Sequence, residues 1–167
     1  MTTSDAKRAA GLSLRQADND DLGNINDVIA AAMNTWDLAE RVKRISLPLY
    51  RYQSHDLVHL HILVAESSAS GIVGVATLEQ ARASGLADAQ STSILHGLYV
   101  DPSHHGKGVG SLLLKRIEEI AALTDARGLL VKAQHEAVGF FVHLGFKALP
   151  VDDESRDYPY RLWKRFS

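Results

Sequence analysis

Apolar positions along the chain repeat at two spacings, and the spacing switches from segment to segment. "LSLRQA" at 12–17 alternates with period two and predicts a short strand. Ile25, Val28, Ile29, Ala32, Met33 and Trp36 then recur every three or four residues, the stripe of an amphipathic helix. Asp18 is the expected N-cap, with the acidic Asp21 three residues on. "LAERVKRISLPLYRY" repeats the helical spacing through Val42, Ile45, Leu49 and Tyr52. Pro48 is expected to kink or restart that helix, because proline has no N–H to give to an established ladder.

Strand patterns dominate next. "HLHILVAE" (59–66) and "GIVGVATLEQA" (71–81) flank the polar link "SSASG" and predict a hairpin. Residues 82–91, "RASGLADAQS", are small and polar, a loop or an extension of the hairpin. "TSILHGLYV" (92–100) is a third strand, closed by Asp101-Pro102. Val109, Leu112, Leu113, Ile117, Ile120 and Ala121 then mark a helix expected to stop near Gly128. "LLVKA" (129–133) predicts a buried strand, and a further helix runs through Phe141 and Leu144 to Gly145. Two last strands, "FKAL" and "YRLWKRF", bracket the acidic loop "PVDDESRDYP". The order β-αα-βββ-α-β-α-ββ, hairpins first and α/β alternation afterwards, implies one mixed α/β (α+β) sheet covered by helices.

Composition narrows the function without choosing it. At 167 residues the chain suits one domain, expected over 12–167 behind a flexible leader at 1–11. Eighteen basic against 20 acidic residues leave no basic surplus of the kind that holds nucleic acid. With no cysteine, the protein can form neither disulfides nor a thiolate nucleophile. No apolar run reaches membrane-spanning length and the N-terminus lacks an apolar signal core, so a cytoplasmic location without membrane attachment is expected. His59 and His61 are expected on one face of the same strand, but no further ligand cluster accompanies them and no metal site is expected.

Most of the chemical information sits in "LYVDPSHHGKGVGSLLLKRI", residues 98–117, where three of the chain's 12 glycines stand between a strand and a helix. Glycines there either turn the backbone or admit a close ligand, and a helix N-terminus offers unpaired N–H groups and partial positive charge to a phosphate. The string is not a Walker A motif. It also follows a meander of strands rather than the first strand of a βαβ unit, unlike a dinucleotide fingerprint.

Leu98-Tyr99-Val100, Asp101-Pro102 and "HGKGVG", followed downstream by "QHEAVGFFVHLGF" (134–146) with Ala137, Gly145 and Phe146 in place, resemble the two signatures of the GNAT superfamily of acyl-CoA-dependent N-acetyltransferases. The resemblance covers about residues 12–166. It implies a mostly antiparallel sheet of about seven strands with about four helices, and acetyl-CoA as cosubstrate. It further implies that the N–H groups of His105, Gly106, Lys107, Gly108, Val109, Gly110 and Ser111 ring the CoA pyrophosphate, with the Lys107 side chain a solvated flank. The backbone of Leu98, Tyr99 and Val100 would line the pantetheine arm, with the Leu98 N–H polarising the thioester carbonyl and the Tyr99 side chain turned to the other face. Gln134 stands in the slot of an asparagine and can reach the pantetheine arm.

His96, two residues before Leu98, is the candidate for taking the amine's proton. The family's usual proton donor is a tyrosine four residues before Gly145, and this chain has Phe141, which cannot donate. Tyr158 and Tyr160 are the remaining candidates for that role. The implied activity is direct acetyl transfer to a primary amine of a small molecule or peptide; the alternative is an idle acyl-CoA-binding or sensing module of the same fold. Homodimers are common among similar proteins.

Overall fold

The computed structural model describes residues 11–81 and 92–167. The expected loop at 82–91 and all but the last residue of the expected leader lie outside them. β1 (Leu12–Gln16) leads into α1 (Leu22–Asn34), α2 (Glu40–Tyr50) and a short α3 (Asp56–His59). β2 (His61–Ser67), β3 (Gly71–Ala81) and β4 (Thr92–Val100) follow, then α4 (Val109–Ala122), β5 (Gly128–Lys132), α5 (Val138–His143), β6 (Lys147–Ala148) and β7 (Arg161–Arg165). The seven strands form one sheet in the order β1-β2-β3-β4-β5-β7-β6, with β4 and β5 parallel and β1/β2, β5/β7 and β6/β7 antiparallel. The expected mixed fold is therefore present, with α3 as an unforeseen fifth helix.

The described chain forms two compact units. One takes the residues up to Thr77 together with Gly97–Arg116; the other takes Leu78–His96 and Ile117–Ser167. In the first, α1 turns Ile25, Val28, Ile29, Ala32 and Met33 onto Ile62, Val64, Val75 and Tyr99 of the strands, the stripe its spacing predicts. Asp18 closes a capping box with Asp21 around a one-turn 3-10 helix that feeds α1, so the predicted cap sits one turn ahead of the helix itself. Tyr52 is clamped to α1 by Asn26, whose side chain gives a hydrogen bond to the Tyr52 carbonyl (3.0 Å) and accepts one from its N–H (2.8 Å). In the second unit Leu129, Leu130, Val131, Leu162, Ile117 and Phe141 are buried.

Four expectations need correcting. Trp36 lies beyond the end of α1 and Tyr52 beyond the end of α2. Pro48 does not restart α2: one helix runs from Glu40 to Tyr50 with Pro48 inside it, and it ends two residues after the proline. The stripe Val42, Ile45 and Leu49 does not face the core: these side chains are 45, 61 and 83% exposed, while Leu47 and Tyr50 pack inward, Tyr50 edge-on to Trp36 at 5.5 Å. Finally, α4 stops at Ala122, six residues before Gly128, which instead opens β5. A Cβ there would lie 2.6 Å from the Lys164 carbonyl oxygen and the Trp163 ring, so the glycine lets β7 come close.

The exposed stripe gives a direct prediction. Ile45→Gln with Leu49→Gln will shift unfolding free energy by no more than about 0.5 kcal/mol. Leu113→Ala, at a fully buried position of α4, will cost about 2–5 kcal/mol. Chemical denaturation of both variants checks the contrast; a loss of Leu113→Ala size from the α2 pair would mean that its stripe is covered.

Candidate functional site

Strand alternation sorts β4 into two faces. Tyr99 points into the core of the first unit beside Val75 and Tyr52, and burial pushes its phenol far above the ordinary range. Burial likewise pushes the Tyr52 phenol up to about 12, so both phenols stay neutral at physiological pH. His96, Leu98 and Val100 therefore occupy the opposite face. Pairing of β4 with β5 runs from Ser93↔Leu129 to Leu95↔Val131. Residues His96 to Val100 extend past the last of those rungs.

At the end of β4 the chain makes a hydrogen-bonded corner. The Asp101 N–H donates to the Val73 carbonyl (2.8 Å), tying the corner to β3. The Asp101 carboxylate accepts from the Ser103 N–H (2.9 Å) and hydroxyl (2.6 Å) and caps the 3-10 turn Pro102–His104. Those bonds hold Asp101 below the usual carboxylate range. His105, expected to turn its N–H toward the phosphate, gives it instead to the Pro102 carbonyl (3.2 Å), and its ring is engaged as well: Nε2 lies 3.0 Å from the Val100 carbonyl oxygen. That carbonyl, an expected main-chain contact, already has a partner.

The glycines that follow do not share one role. Gly106 and Gly108 have φ of 73° and 82°, the left-handed region that side chains resist, whereas Gly110 lies inside the first turn of α4 without that requirement. In an anion-binding nest a left-handed residue helps turn successive N–H groups toward one side; Gly106 and Gly108 supply two such left-handed positions, behind an extended His105. The first helical bond of α4 runs from the Leu112 N–H to the Gly108 carbonyl (3.0 Å). Among the described residues, no backbone N–H from Gly106 through Ser111 donates to another protein group. Lys107 is exposed and Val109 is buried.

Val109 and Leu113 seat the helix at Gly74 of β3, where an added Cβ would lie 2.8 Å from Val109 Cγ1 and from Leu113 Cδ1. The helix thus presents its positive end above a row of unsatisfied donors.

The second unit carries the remaining candidates. His96 Nδ1 lies 3.2 Å from Glu79 Oε2 on β3. Gln134 follows β5, half-buried, and its carbonyl accepts the Ala137 N–H at 2.9 Å. Phe141 is 4% exposed and edge-on to Phe140 (5.1 Å) and Phe146 (5.3 Å), so the slot of the family's tyrosine is filled by an aromatic cluster. The Tyr158 hydroxyl donates to the Ala133 carbonyl at 2.6 Å, and Tyr160 packs against Tyr158 and His135. In the acidic loop, Asp157 accepts the N–H groups of Asp152 and Asp153 at 3.1 Å each. His59 lies on α3 and His61 on β2, so the two do not share a strand; among the described residues no cluster of three metal-ligating side chains occurs.

Residues 59–148, more than half of the chain, match the family model for the acetyltransferase (GNAT) domain. This chain belongs to the GNAT acetyltransferase family. Solved structures share the GNAT fold over nearly the whole length. A GCN5-related N-acetyltransferase from Rhodopseudomonas palustris matches at 20% identity and TM-score 0.73, covering 94% of this chain and 97% of that one. The PaiA N-acetyltransferase of Thermoplasma acidophilum, solved in complex with coenzyme A, matches at 17% identity and TM-score 0.74, over 93% of this chain and 99% of its own. A GNAT acetyltransferase of Brucella melitensis, solved with acetyl-CoA, matches at 20% identity and TM-score 0.66, over 93% and 88%.

Within this GNAT domain, sequence inspection missed two residues. Gly74 carries no signal beyond being a glycine inside a strand, a weak mark of close approach. Glu79 looks like any charged residue near the end of a hairpin strand. Among the described residues, no helix is long and apolar enough to cross a membrane.

Proposed function

We propose that the protein is a cytoplasmic N-acetyltransferase that moves the acetyl group of acetyl-CoA directly to the primary amine of a small molecule or peptide. The observation that carries this is the row of N–H groups from Gly106 to Ser111, left without protein acceptors at the head of α4 and shaped by two left-handed glycines. A diphosphate suits such a row, because it is anionic and presents several oxygens to donors that are already aligned. No charged side chain has to be desolvated to provide it.

Acetyl-CoA supplies a thioester, a carbonyl activated toward amines. The chain's own residues have three tasks around it. Gly106 to Ser111 bind the diphosphate, and the backbone at Leu98 to Val100 lines the arm that follows. The Leu98 N–H is the donor for the thioester oxygen, where negative charge grows during attack. His96 takes the amine's proton. A primary amine of pKa near 10.4 is neutral in only about one molecule in 2,500 at pH 7, so a base of near-neutral pKa has a large effect. The absence of cysteine removes the commonest acyl carrier, consistent with direct transfer.

One observation favours the second reading, an idle acyl-CoA-binding module. Phe141 has no proton to give, and the Tyr158 proton is engaged by the Ala133 carbonyl. Water can protonate a thiolate leaving group, whose demand is mild, so we rank this reading second.

Two assays separate the outcomes. Acetyl-CoA at about 100 times its dissociation constant should stabilise the native state by about 2.7 kcal/mol, visible as a thermal shift. Thiol release against a panel of primary amines should then show turnover, with no thiol background from the protein itself. A thermal shift without turnover on any amine would favour the binding module; no shift at all would remove the diphosphate assignment.

A further inference from the structure

Glu79 lies on β3 and His96 on β4, hydrogen-bonded neighbours in the sheet. The Asp101 N–H meets the Val73 carbonyl at one end of this pair of strands, and His96 meets Glu79 further along, so the strands run in opposite directions and bring these two side chains to one face. Nδ1 of His96 is 3.2 Å from Oε2 of Glu79. The side chains are 47% and 39% exposed. A polar contact that exposed contributes little to folding stability, even when charged.

The chemistry of the contact is definite. An ionised carboxylate only accepts hydrogen bonds, so Nδ1 must carry the proton. A neutral imidazole protonated at Nδ1 has its lone pair at Nε2. When the ring gains a proton at Nε2, the resulting cation already has a carboxylate against it. The same division of labour holds between the aspartate and histidine of serine-protease triads, where the carboxylate sets the tautomer and does not itself take the proton.

We infer that Glu79 is a positioning residue for His96, fixing the proton on Nδ1 so that Nε2 is the atom that accepts the amine's proton. The inference rests on the assignment of His96 as the base made above. It adds a residue that neither family signature contains.

The test uses the full chain. Long-range proton–nitrogen NMR of the histidine rings, with His96 assigned by its loss in His96→Ala, should show His96 in the wild-type protein with a protonated Nδ1 and an unprotonated Nε2. In Glu79→Ala that tautomer preference should disappear, and kcat should fall about tenfold or more, the direction expected when a histidine base loses its tautomer. KM for acetyl-CoA should hold. Glu79→Gln, whose amide oxygen can still accept from Nδ1, should recover most of the tautomer preference and of kcat.

A wild-type His96 protonated at Nε2 would overturn the inference without any variant. So would an unchanged kcat in Glu79→Ala when His96→Ala is impaired, which leaves the base in place and removes only its positioner. An unchanged kcat in His96→Ala, with acetyl-CoA still bound, would overturn the parent assignment and this inference with it.

Discussion

Replacing His96 with alanine will lower kcat by about 10²–10⁴-fold, the range typical for loss of a positioned acid–base group, and leave the affinity for acetyl-CoA unchanged. The expected separation follows from where the residue stands. His96 is an exposed side chain on β4 whose ring contacts Glu79. The N–H row proposed for the diphosphate begins ten residues later in the sequence and is made of backbone groups. Removing an imidazole therefore takes away a proton acceptor and no phosphate donor. Steady-state kinetics together with calorimetric acetyl-CoA titration measure the two quantities independently. Equal losses in both, or none in either, would deny His96 the role of base.

The second large effect is expected at the glycines. Valine at Gly106 and Gly108 would have to adopt φ of 73° and 82°, a conformation that is an outlier for β-branched residues. Holding a non-glycine residue there costs about 1–3 kcal/mol. The chain can escape that cost by rotating the backbone, and the N–H groups rotate with it. Either way the affinity for acetyl-CoA should fall about tenfold or more, since about 1.4 kcal/mol is a factor of ten.

Gly110→Ala is the matched control. It sits in the first turn of α4 and needs no left-handed φ, so it should keep most of the affinity. Isothermal titration of the three variants, with thermal melts to confirm folding, checks the prediction. Equal losses at all three positions would mean that bulk near the helix matters and left-handed geometry does not.

The same contrast explains what could be read from the sequence. Strand patterns at 71–81 and 92–100 coincide with β3 and β4 because each is a long run rich in apolar and β-branched residues. Asp101-Pro102 and the glycines marked the strand-to-helix corner because both are backbone signals, and the proposed phosphate site is made of backbone N–H groups. Side-chain partners were harder. α2 carries two apolar stripes, Val42/Ile45/Leu49 and Leu47/Tyr50, and periodicity alone does not say which one packs. Gly128 resembled a helix stop, since a glycine that admits a neighbouring strand looks identical in sequence to one that ends a helix. Glu79 and His96 are 17 residues apart, and only the pairing of β3 with β4 brings them together. The ring of His105 turns back to Val100 only five residues away, a local contact that no spacing of apolar residues encodes.

The measurement closest to the central claim is a proton–nitrogen correlation spectrum of the labelled protein titrated with coenzyme A. The amides of Gly106 to Ser111 should shift together and saturate at one dissociation constant, with Gly106 and Gly108 among the largest movers. Binding that leaves those six amides in place, with shifts concentrated elsewhere on the chain, would contradict the account.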